Sequence, residues 1–101
     1  MHVYMTARFT VKPDSLEKCR AAIEEFVDHV TRNEPATRMY MSMQEAENET
    51  SFLHVFEFEN EEAEELHANS EAVQKFTSVL YPECIEPVQF TSYTLVASTE
   101  E

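Results

Sequence analysis

Residues 37–58 read TRMYMSMQEAENETSFLHVFEF. Two runs within them alternate with period two. In 37–45, Met39, Met41 and Met43 point one way, and Arg38, Tyr40 and Ser42 the other. In 51–58, Phe52, His54, Phe56 and Phe58 share one face, and Leu53, Val55 and Glu57 the opposite one. Alternation of this kind marks strands. The residues between, Glu45 to Thr50, read as a polar turn. Two consecutive strands therefore occupy the middle of the chain.

On both sides the period changes to three and four. Upstream, Leu16, Cys19, Ile23, Phe26, Val27 and Val30 mark one side of a helix running to about Asn33. Asp14 followed by Glu17 predicts a capping-box-like start, and Pro35 ends the helix. Before it, residues 2–11 alternate as a first strand. Downstream, Asn60 predicts a cap for a second helical segment. Its inner side carries Ala63, Leu66, His67, Ser70, Val73, Phe76, Thr77 and Leu80. Asn69-Ser70 is a candidate break, with Ser70 capping the second piece. Pro82 ends that segment, and 88–97 form a last strand. The order β-α-β-β-α-β predicts an α+β, ferredoxin-like domain with an antiparallel sheet, spanning 1–101 as one unit.

Both faces of several strands carry large apolar residues, whereas helices cover only one face of such a sheet. The second face needs a second cover, and another copy of the chain supplies it. A homodimer packed sheet to sheet is expected.

Composition removes several functions. Among 101 residues there are 20 acidic and 7 basic side chains, a net charge of −13. This disfavours nucleic acid and anionic membrane surfaces, which need clustered Lys and Arg. Glycine is absent, so no glycine-dependent phosphate loop or nucleophile elbow exists. No metal-ligand spacing of His and Cys occurs, so no dedicated metal site is expected. Cys19 and Cys84 form no CxxC and read as reduced thiols, Cys19 in the core. No apolar run is long enough to cross a bilayer, and no basic n-region with an apolar core opens the chain, so a cytoplasmic compartment is expected.

The candidates for chemistry are few. His67 lies on the apolar side of the second helical segment, where it could bind or deprotonate a ligand. Spacing alone fits a packed core histidine better. His54, between Phe52 and Phe56, is a candidate base or a packed imidazole. Tyr40 and Tyr93 could hydrogen-bond a phenolic ligand or serve strand packing. Glu57, a carboxylate on an apolar face, needs a partner such as Arg8 or Arg38. Asn33-Glu34-Pro35 reads most simply as a helix end and turn.

Two stretches carry a resemblance. Asn33-Glu34-Pro35-Ala36-Thr37 followed by Tyr40 resembles the N-E-P-G-T…Y stretch of the antibiotic-biosynthesis monooxygenase family. So do Glu57, Phe58, Asn60 and Ala63, leading to His67, Ser70, Val73 and Phe76. The resemblance implies a dimeric α+β barrel with a pocket between sheet and helices in each subunit. It also implies oxygenation of quinols, anthrones or related polyphenols by dioxygen without a cofactor. In that chemistry His67 would bind or orient the phenolic oxygen and His54 would act as a base. Tyr40, Tyr93, Phe56 and Phe76 would contact the small aromatic substrate. Two departures stand out. The family's glycine is Ala36, so the turn must adapt. A second histidine found in many members is here Ala72. Haem degradation is disfavoured, since the chain has no Trp and no Asn in its first strand. A non-catalytic dimeric module binding a small ligand, or an isomerase of a small polar metabolite, is the alternative. Fold alone does not decide among them.

Overall fold

The computed structural model describes residues 2–100. Four antiparallel strands form one sheet: β1 (Val3–Thr10), β2 (Thr37–Glu45), β3 (Asn48–Phe58) and β4 (Gln89–Tyr93). Their spatial order is β2-β3-β1-β4, the ferredoxin-like arrangement. Three α-helices, α1 (Leu16–Asn33), α2 (Glu61–Ala68) and α3 (Glu71–Leu80), complete the α+β fold expected from the periodicities.

The inner sheet face is built from alternate residues in register. Ala7 of β1 pairs with His54 of β3 and Phe90 of β4, and His54 pairs with Ser42 of β2. Two buried clusters form against this face. One joins Phe9, Val11 and Phe52 to Cys19, Ile23, Phe26 and Val30 of α1 and Phe76 and Leu80 of α3. The other joins Ala7, Phe56 and Phe58 to Ala63 of α2. Tyr40 and Val88 pack against both clusters and mark their seam.

The second helical segment breaks where the sequence placed the break. Asn60 accepts from the Ala63 N–H at 2.9 Å, and the Ser70 hydroxyl accepts from the Val73 N–H at 3.1 Å. Each side chain satisfies an amide left open at a helix start. The break re-aims the apolar stripe, so Leu66, expected on the inner side, is 67% exposed.

Three local expectations are corrected. Asp14 and Glu17 do not form the capping box. A 3-10 turn (Pro13–Ser15) precedes α1, and the Ser15 hydroxyl instead donates to Glu83 at 2.5 Å. Glu57 pairs with neither arginine but with His2 Nδ1 at 2.6 Å, because in register Glu57 stands beside Tyr4 at the start of β1. Arg8 lies further along beside Leu53 and pairs with Glu45. The last strand stops at Tyr93 rather than Ala97, because its partner β1 runs out: Tyr93 already pairs with Tyr4.

The turns are made without glycine and, among the described residues, without any positive φ. The β2–β3 hairpin is tighter than expected, with Glu45 pairing to Asn48 and a register shift at Gln44/Glu45. Such irregularities let a short hairpin close without the left-handed residues that primed turns require. Ala36 sits in a turn closed by Thr37 N–H to Glu34 C=O at 3.0 Å, and its carbonyl accepts from Glu59 N–H at 2.8 Å.

The outer sheet face holds Tyr4, Met39, Met41, Met43, Leu53, Val55 and Tyr93, with no element of the described residues packed over it. Met41 and Met43 are each 43% exposed. No helix among the described residues is long and apolar enough to cross a membrane.

Candidate active site

The two core clusters leave a cavity of about 250 Å³ between sheet and helices. Its walls are mainly aromatic, with Phe26 and Phe76 stacked at 4.5 Å and Tyr40 and Phe56 at 4.9 Å. His67, His54, Tyr40, Phe56 and Phe76 all line it, so the structure brings these five candidates together. Tyr93 is not among them. Its pairing with Tyr4 puts it on the outer sheet face, 56% exposed, while Phe90, of opposite parity in the same strand, faces the cavity.

His67 stands in the last turn of α2, with its ring 5.0 Å from that of Phe58 and 5.6 Å from that of Phe26. Its Nδ1 lies 2.7 Å from Glu34 Oε1. The carboxylate accepts, so Nδ1 carries the proton and the Nε2 lone pair is left free. Among the described residues Nε2 has no hydrogen-bond partner, and His67 lines the cavity. Glu34 Oε1 also accepts from the Thr37 hydroxyl at 2.8 Å, while Oε2 is buried without a partner among the described residues.

Sequence reasoning missed Glu34. A signal existed: Glu34 is the C-cap of α1, where the helix dipole opposes an anion. A carboxylate kept at that end needs local donors, and Thr37 and His67 are those donors.

His54 is 1% exposed and already bonded at both nitrogens. Nδ1 lies 2.7 Å from the Tyr40 hydroxyl and Nε2 lies 2.9 Å from the Ser42 hydroxyl. Burial lowers its pKa to about 4, so it is neutral at neutral pH. With no free lone pair, His54 is placed to hold Tyr40 rather than to take a proton directly from a ligand. Burial, with smaller contributions from Tyr81 and Glu34, pushes the Tyr40 phenol well above its ordinary range, so it too stays neutral. Beyond His54, the cavity presents the imidazole of His67 and the hydroxyl of Tyr40, their rings 5.8 Å apart, and Glu64, Thr77 and Tyr81 also line it. Among the described residues no three His, Cys, Asp or Glu side chains cluster as metal ligands.

The antibiotic biosynthesis monooxygenase family model matches residues 2–78. The chain belongs to this family. Cys84 and β4 lie beyond the matched part, whereas Glu34, Tyr40, His54 and His67 lie within it. Solved structures agree in fold. A Bacteroides thetaiotaomicron protein carrying the family's name superposes with a TM-score of 0.91 at 16% identity, covering 99% of this chain and 94% of its own. A Mycobacterium tuberculosis protein gives a TM-score of 0.88 at 20% identity, covering 99% and 100%. A third structure, described as an antibiotic biosynthesis monooxygenase, gives 0.87 at 17% identity, covering 94% and 99%. At these identities the likeness is one of fold. No curated protein sequence matches the chain significantly.

Proposed function

We propose that the chain is a cofactor-independent monooxygenase that oxidises a small aromatic quinol or anthrone-type substrate with dioxygen. The observation that carries this reading is the Glu34–His67 pair set into an aromatic-walled cavity. An all-apolar pocket would suit a binding module; an oriented imidazole with a free Nε2 suits proton abstraction.

In the proposed reaction, Nε2 of His67 takes the proton of the phenolic or enolic hydroxyl, and Tyr40 donates a hydrogen bond to the oxyanion. The electron-rich anion gives one electron to dioxygen, and the radical pair closes a C–O bond to give a peroxide anion. That anion regains the proton from His67. The reacting carbon then loses its remaining C–H proton as the O–O bond breaks and water leaves. In sum, a ring methylene and dioxygen become a ring carbonyl and water. The aromatic walls lower the dielectric around the anion and strengthen its hydrogen bonds to these two groups.

The reading also takes the chain as a cytoplasmic homodimer, with two copies closing over the outer sheet face. The uncovered Met39, Met41, Met43, Leu53 and Val55 support the dimer.

The test is oxygen uptake by chelator-treated protein against a panel of quinols and anthrones, with His67→Ala and Glu34→Gln beside it. Uptake above the autoxidation blank that falls in both variants supports the reading. Uptake at the blank across the panel overturns it.

A further inference from the structure

The proposed chemistry uses one face of Tyr40 and leaves the bonds behind it unexplained. His54 is buried between two hydroxyls, and those hydroxyls open onto different spaces. Tyr40 lines the cavity. Ser42 lines a separate cleft of about 130 Å³ at the sheet edge, together with Arg20, Glu24 and Gln44. The cleft and the cavity share no lining residue. Arg20 and Glu24 are solvent-exposed, so this cleft reaches water.

We propose that Tyr40, His54 and Ser42 form a proton relay that connects the cavity to solvent through this second cleft. The chain is continuous: Tyr40 Oη to His54 Nδ1 at 2.7 Å, and His54 Nε2 to Ser42 Oγ at 2.9 Å. Hydroxyls both donate and accept, and a neutral imidazole does one at each nitrogen, so the chain runs in either direction.

Outward transfer balances without a lasting ion. An acid in the cavity gives its proton to Tyr40 Oη as Tyr40 passes its own to His54 Nδ1. His54 releases its Nε2 proton to Ser42, and Ser42 passes its own to water. Every member of the chain keeps one proton, and one proton leaves the cavity. Burial disfavours both tyrosinate and imidazolium here, which makes the concerted passage the accessible one.

The Glu34–His67 pair is arranged differently: His67 Nδ1 is committed to Glu34 Oε1, which also accepts from the Thr37 hydroxyl, and Glu34 Oε2 is buried without a partner among the described residues. The relay is the path by which a substrate-filled cavity exchanges protons with solvent, and the inward step reverses the outward one and restores the tautomer. Which proton it carries rests on the oxygenation reading; the relay itself does not.

The test needs no substrate, so its failure is separate from failure of oxygen uptake. In protein labelled with 15N-histidine, the exchange of the His54 ring N–H with water is measured in the wild type, Ser42→Val and Ser42→Thr. Val and Thr both favour strands, so β2 is retained. Removing the hydroxyl closes the shorter, solvent-side exit and leaves only the Tyr40 side and local opening, and Ser42→Val is expected to slow exchange by about tenfold or more. Ser42→Thr is expected to restore the wild-type rate. A smaller slowing in Ser42→Val, or a Ser42→Thr as slow as Val, overturns the relay. Ser42→Ala, which also lacks a hydroxyl, takes the place of Val should that variant not fold.

Discussion

Glu34 closes helix α1, and its Oε1 lies 2.7 Å from Nδ1 of His67 on α2, 33 residues away in sequence. The contact ties the end of α1 to α2 beside the cavity and fixes which nitrogen of His67 is free. It also gives a hydrogen-bond donor to an anion that the helix dipole disfavours.

This relationship sets the first prediction. In oxygen-uptake kinetics, His67→Ala is expected to lower kcat by about 10²–10⁴, the range of a positioned general base. Glu34→Gln retains the imidazole but loses the charge that orients it, so a smaller fall is expected. Equal activity of Glu34→Gln and wild type would remove Glu34 from the site.

His54 makes stability depend on acid. The unfolded chain protonates it near pH 6.5, whereas the buried imidazole resists protonation down to about pH 4. Unfolded chains therefore bind the extra proton in this window, and stability falls as pH falls through it. The loss is about 3 kcal/mol in full and about 2 kcal/mol by pH 5. Urea unfolding of the wild type from pH 7 to 5 is expected to show this slope. His54→Asn, though less stable at pH 7, is expected to flatten it.

The outer face predicts assembly. Met41 and Val55 stand side by side there in register. Light scattering of the wild type is expected to give twice the 11.7 kDa chain mass. Met41→Glu with Val55→Glu is expected to give the single chain mass with the fold retained. A wild type that is monomeric at high concentration would refute the sheet-to-sheet dimer.

Glu83, at the end of a 3-10 turn (Tyr81–Glu83) that follows α3, braces the start of α1. It accepts from Ser15 at 2.5 Å and from Lys18 at 3.0 Å. These bonds, Ser15 first, lower its pKa below the ordinary value. The contribution is present above the ordinary carboxylate range and is lost as pH falls through the lowered value. Glu83→Gln is expected to lower Tm at pH 7. The gap to wild type is expected to close on acidification.

Much of the fold was legible because it is written in short-range spacing. Alternation in 37–45 and 51–58 made strands, and three-four recurrence from Leu16 to Val30 made a helix. Asn60 and Ser70 each act within three residues, and both caps are where the sequence put them. Leu66 departed because a break in the helix shifts the stripe, and β4 stopped early because strand length depends on a partner's length.

The site was legible only as residue types. Parity put Phe90 and Tyr93 on opposite faces, but only the register with β1 decided that Phe90 turns inward and Tyr93 outward. His67 and His54 looked alike as lone histidines on apolar faces. Packing made one an imidazole with a free nitrogen beside Glu34 and the other a link between two hydroxyls. By itself the sequence determined the elements, their order, the caps at Asn60 and Ser70 and the two-sided sheet, because those follow from neighbours a few residues apart. The tertiary structure decided the partners of Glu34, His54 and His67. A hydrogen bond depends on tenths of an ångström between residues 12 to 33 positions apart, and only the packed chain sets those distances.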